Sequence, residues 1–143
     1  MYQRNIDILS AYKEYNFTKL KPKRVTEFET KPNTKSLISI KGLQIEVLPS
    51  HVFCYKNNAT QEVGAVWFIA QLGGFNEEEM SLFSELLYRY LVINYSKKYQ
   101  VNPTFVIAID VVSRRELKYE QQLNGKAASF LQSTVDNLKL FLK

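Results

Sequence analysis

Two apolar runs of strand length, VGAVWFIA (63–70) and TFVIAIDVV (104–112), flank a stretch with helical spacing, and no other feature constrains this chain as tightly. Both runs carry apolar side chains on odd and even positions alike, so neither face of either strand can meet water. That is the mark of interior strands in a sheet covered on both sides. Between them Gly73-Gly74 breaks the chain, and Asn76 then stands three residues before Glu79, a helix-start signature, with Glu77 and Glu78 at the positive end of the helix dipole. Met80, Phe83, Leu87, Tyr90 and Leu91 repeat at helical spacing, and Lys97 and Lys98 follow where a helix C-terminus favours cations. A helix joining two such strands is a crossover, which makes the strands parallel neighbours in one sheet.

The preceding segments supply more strands. In SLISIKGLQIEVLP, Ile38 and Ile40 alternate on even numbers and Leu43, Ile45 and Val47 on odd ones, so Gly42 marks a bulge or a tight turn. Pro49 closes that strand. HVFCY and the 63–70 run, joined across KNNAT, read as a hairpin within residues 51–69. Three consecutive strands are expected to pair as an antiparallel meander. Ile6, Leu9 and Tyr12 suit a short N-terminal helix over Asn5–Tyr15. Ala127, Leu131, Val135, Leu138 and Phe141 or Leu142 form one stripe of a final helix. The expectation is one α/β (α+β) domain over residues 1–143: a mixed central sheet of about four strands in αβββαβα order, with helices packed against it. At 143 residues the chain can bury about 70% of its extended surface, enough for a single core.

Composition excludes several chemistries. Cys54 and His51 are the only residues of their kinds, so an internal disulfide, a cysteine-cluster metal site or a multi-histidine zinc site cannot form. No apolar run approaches the roughly 20 residues of a membrane span, and MYQRNIDILSAYKEY lacks the uninterrupted apolar core of a secretory signal. A cytoplasmic chain with no membrane partner is expected. The net charge of +5 is uneven: residues 19–35, read as a basic surface connection, hold Lys19, Lys21, Lys23, Arg24, Lys31 and Lys35 against Glu27 and Glu29.

An αβββαβ succession of this size resembles the core of the PD-(D/E)XK, or restriction-endonuclease-like, nuclease superfamily. The resemblance is topological and covers roughly residues 5–112. It implies a divalent-metal site built from an acid near the start of the second strand and a Glu-x-Lys or Asp-x-Lys on the third. At the corresponding positions Pro49-Ser50 stands for Pro-Asp, and Glu62-Val63-Gly64 stands for Glu-x-Lys, so only Glu62 survives. One carboxylate holds a hard cation poorly, and loss of the metal chemistry follows. The alternative is a magnesium-dependent nuclease in which Glu62 converges with Glu46 or Asp110 as the catalytic set. Without that set no cofactor is implied.

Each of these residues also has a structural reading. Glu62 suits a strand start at the solvent boundary, and Asp110 suits an ion pair with Arg114 or Arg115. Ser50 and His51 point to opposite faces of a strand and lack a nucleophile elbow. The leading functional expectation is a non-catalytic domain that binds DNA or RNA, with Lys19, Lys21, Lys23, Arg24, Arg114 and Arg115 on phosphates. A protein-interaction or homodimeric module is the other, through a strand edge or the tyrosines Tyr88, Tyr90, Tyr95 and Tyr99.

Overall fold

The computed structural model describes residues 22, 27–29, 35–125 and 131–142. The expected helix over Asn5–Tyr15, Ala127, and Lys19, Lys21, Lys23 and Arg24 lie outside the described residues. In order the elements are β1 (Glu27–Glu29), β2 (Leu37–Ile40), β3 (Leu43–Glu46), β4 (His51–Asn57), β5 (Thr60–Ile69), α1 (Glu77–Tyr95), β6 (Gln100–Asp110), β7 (Arg115–Lys118), α2 (Tyr119–Leu123) and α3 (Leu131–Phe141). The fold is α+β, with a mixed five-stranded sheet in the order β1-β4-β5-β6-β7.

The pairing of β5 with β6 is parallel, from Glu62 opposite Gln100 to Ile69 opposite Asp110; the other three pairings of this sheet are antiparallel. Both faces are buried, as the unbroken apolar runs require. Toward α1 lie Val52, Cys54, Val63, Ala65 and Val106, packed with Leu87, Tyr90 and Leu91. On the opposite face lie Phe53, Tyr55, Val66, Ile107 and Ile109. The helix start follows its local signature: Asn76 accepts from the Glu79 amide at 2.8 Å, and the Asn76 amide donates to Glu79 Oε1 at 3.3 Å.

The expected meander needs correction at its first strand. Residues 37–46 do not join the central sheet; they fold back as a separate two-stranded hairpin, β2–β3. The cause is local, because Lys41 (φ 52°) and Gly42 (φ 84°) are both left-handed, which makes a tight two-residue turn and reverses the chain. The edge position beside β4 goes to β1, inside the stretch read as a surface connection. Ile38, Ile40 and Val47 bury against α1 and the sheet cluster. The hairpin is pinned at both ends. The Asn94 carboxamide bonds both the N–H and the C=O of Lys35 at 3.0 Å, and Lys41 Nζ meets Asp136 of α3 at 2.8 Å. The α3 stripe is also shorter than expected: Leu131 and Val135 are buried, whereas Leu138, Phe141 and Leu142 are exposed.

One irregularity governs the sheet's lower end. Val63 pairs with Val101 and Ala65 with Val106, so two steps along β5 match five along β6, and Asn102–Phe105 bulge outward. Pro103, with no N–H to donate, sits within the bulge. Beneath it is Gly64, where a Cβ would lie 2.7 Å from both Cβ and O of Phe105 and 2.8 Å from Phe53 Cε2.

Candidate nucleic-acid interface

The three carboxylates considered as metal ligands do not converge. Glu62 pairs with Gln100 and Asp110 with Ile69, seven residues further along β5, a separation of about 23 Å at strand rise. They also face opposite ways. Glu62 stands across from Tyr55 on the face away from α1, while Asp110 shares the α1 face with Ala108. Glu46 lies on the detached hairpin, exposed, opposite Leu37. No group of three His, Cys, Asp or Glu suited to a metal occurs among the described residues. The donor set does not fit magnesium. Gly64, at the position that would bear the lysine, cannot take any side chain beneath the β6 bulge without moving backbone.

Glu62 and Asp110 each have another occupation. Glu62 is 9% exposed and accepts from Asn102 Nδ2 at 2.9 Å and from Asn57 Nδ2 at 3.5 Å, so it is a buried, bonded group rather than the solvent-boundary residue expected. Tyr55 lies beside it; burial raises the phenol's pKa, and the neighbouring Glu62 charge raises it further. Asp110 is fully buried. Its Oδ2 accepts from the Phe75 amide at 2.6 Å and Ser113 Oγ at 2.8 Å, and its Oδ1 from the Val112 and Ser113 amides at 3.1 and 3.4 Å. The expected arginine pairing is replaced by backbone donors, because the turn after β6 brings these amides in directly. Arg115 instead donates to the Phe75 carbonyl at 3.3 Å. Asp110 thereby joins that turn to the loop ahead of α1, and Gly74 (φ +78°) passes so close that a Cβ would sit 2.8 Å from Oδ2.

His51 and Ser50 are likewise structural. Ser50 Oγ accepts from the Phe68 amide at 2.9 Å, and the His51 ring meets Phe68 edge-on at 5.9 Å. Burial lowers the pKa of His51.

Of the proposed phosphate contacts, Arg114 and Arg115 are exposed at the β6–β7 turn, near the acidic start of α1 with Glu77, Glu78 and Glu79. The other end of the sheet is different. There α1 ends and β5 and β6 begin, and an open groove of about 650 Å³ lies between them. Tyr88, Val92 and Ser96 form one wall along α1, Thr60, Gln61 and Gln100 the other, and Lys97, Lys98 and Tyr99 close the end. Among the described residues no Asp or Glu lines it. Lys98 Nζ stands 5.3 Å from the centroid of Tyr99, and Tyr88 is stacked on Tyr119 at 4.2 Å, which fixes that ring's plane. Lys56 lies directly across from Gln61 and, by strand alternation, on the groove's face.

This groove is not foreseeable from the basic segment 19–35. Its signal was YSKKYQ (95–100), lysines bracketed by tyrosines, which reads only as a helix end until the starts of β5 and β6 are placed beside it. Comparison with protein-family models, with curated proteins and with solved structures gave no match to this chain.

Proposed function

We propose that this domain binds nucleic acid without cutting it, on a nuclease-like core that has lost its metal chemistry, and that the groove at the C-terminal end of α1 is the binding surface. One observation carries the reading: Lys97 and Lys98 line an open groove that has tyrosines in its walls and, among the described residues, no lining carboxylate, and Lys56 stands across from its Gln61. Two formal charges at Lys97 and Lys98 outweigh the roughly half-charge of opposite sign at a helix C-terminus, so the groove favours phosphates. A salt series tests it. Each phosphate neutralised adds about −0.7 to −0.9 to the slope of log K against log salt, so Lys97→Ala/Lys98→Ala should weaken binding and flatten the slope by about 1.4 to 1.8. An unchanged slope and affinity would remove the groove from the proposal.

A homodimeric or protein-interaction module is favoured by a separate observation. Leu138, Leu140, Phe141 and Leu142 are 45–87% exposed at the end of α3. Sedimentation at several concentrations, repeated with Phe141→Ser, distinguishes a dimer from a monomer.

A further inference from the structure

We infer that the groove takes single-stranded rather than paired nucleic acid, an inference that rests on the nucleic-acid reading above. The groove does not end at α1. A second hollow of about 240 Å³ lies between Ile38–Ile40 of β2 and Arg89 and Ile93 of α1, and the two hollows share Tyr88 and Val92 as lining residues. Together they form one recessed track along the helix, and its chemistry changes along its length. At one end are lysine ammonium groups, a tyrosine ring and the amide side chains of Gln61 and Gln100; at the other are the exposed Ile93 and the Arg89 guanidinium, which pairs with Glu85 at 3.2 Å, beside the buried Ile38 and Ile40.

That sequence of surfaces matches an unpaired strand. Its phosphates meet lysines, its base faces meet rings and aliphatic side chains, and its base edges meet amides. A duplex hides its base faces and is read by an element that projects into a groove about 12 Å wide. Here α1 forms the wall of a recess between the strand starts and the hairpin, so it does not project. The stripe Tyr88, Val92, Ser96 spans about 12 Å at helical rise, the length of three or four stacked nucleotides at about 3.4 Å each. That is the small end of the footprints single-strand binders cover.

The test is fluorescence anisotropy on the full chain at matched low salt, with an oligothymidylate of roughly 12 nucleotides, a mixed-sequence duplex of equal length, and heparin as a base-free competitor. The single strand is expected to bind about tenfold tighter than the duplex and to resist heparin, and Tyr99→Leu, which keeps all the lysines, should lose roughly five- to 100-fold on the single strand alone. The exposed pair Gln61→Ala/Gln100→Ala gives the same discrimination if Tyr99→Leu unfolds the chain. Equal affinity for duplex, or single-strand affinity indifferent to these variants, overturns the single-strand inference and leaves the nucleic-acid reading standing. Binding to neither nucleic acid, whether or not heparin binds, overturns both.

Discussion

Replacing Gly64 with alanine tests how closely β6 packs over β5. The added Cβ would lie 2.7 Å from Phe105 Cβ and O and 2.8 Å from Phe53 Cε2. Carbon atoms prefer about 3.5–4.0 Å, so the bulge must shift by about 1 Å. Two of the three obstructing atoms lie on or next to the β6 backbone, one residue before its pairing with β5 resumes at Val106, which puts the cost near the upper end of overpacking, about 3 kcal/mol. Against this, a less flexible unfolded chain returns about 0.4–1 kcal/mol, because the φ of Gly64 is not positive. The net is about 2 kcal/mol of destabilisation. Trp67, the only tryptophan and three residues away, packs edge-on against Phe83 at 5.2 Å and reports unfolding by fluorescence. In urea the midpoint should fall by about 1 M, and Gly64→Lys should be worse. An unchanged or raised midpoint would refute close packing of β6 over β5.

Asp110→Ala should cost about 3–5 kcal/mol, measured by the same unfolding curves, since it strands three amides that now share one carboxylate. Arg115→Ala should cost under about 1 kcal/mol; equal losses would restore the ion pair as the main tie. Tyr55 sets a pH dependence. Its phenol is raised above the ordinary 10.0 by burial and then by Glu62, so the unfolded chain releases this proton first as pH climbs. Stability from this group is therefore complete below pH 10 and declines above it, and Tyr55→Phe should flatten the decline in pH-dependent melts. A slope that is the same in both proteins would show that the phenol is not held neutral by the fold.

The parallel pair was legible because burial on both faces leaves an unmistakable pattern, and α1 was legible because its capping box is made by residues three apart. Gly42 announced a break, but a glycine at a change of phase serves a bulge and a turn equally well. Only the left-handed Lys41 beside it sends residues 43–46 back along 37–40 and out of the central sheet. The bulge at Asn102–Phe105 depends on Phe105 settling over Gly64, a contact 41 residues apart in sequence. Asp110 misled for a related reason. Arginines four and five positions later suggest a salt bridge, yet the turn delivers amides to the carboxylate, and the Arg115 guanidinium goes to the Phe75 carbonyl beside them. The groove was the least visible feature, because residues 60–61, 88–92 and 96–101 acquire a common chemistry only once β5 and β6 lie side by side.

The most direct test of the account is to titrate the isotopically labelled full chain with a single-stranded oligonucleotide and follow its backbone amide resonances. Perturbations should centre on Gln61, Ser96, Lys97, Lys98, Tyr99 and Gln100, with Arg114 and Arg115 unmoved. Shifts centred on the β6–β7 turn or on the exposed end of α3, with the groove silent, would contradict it.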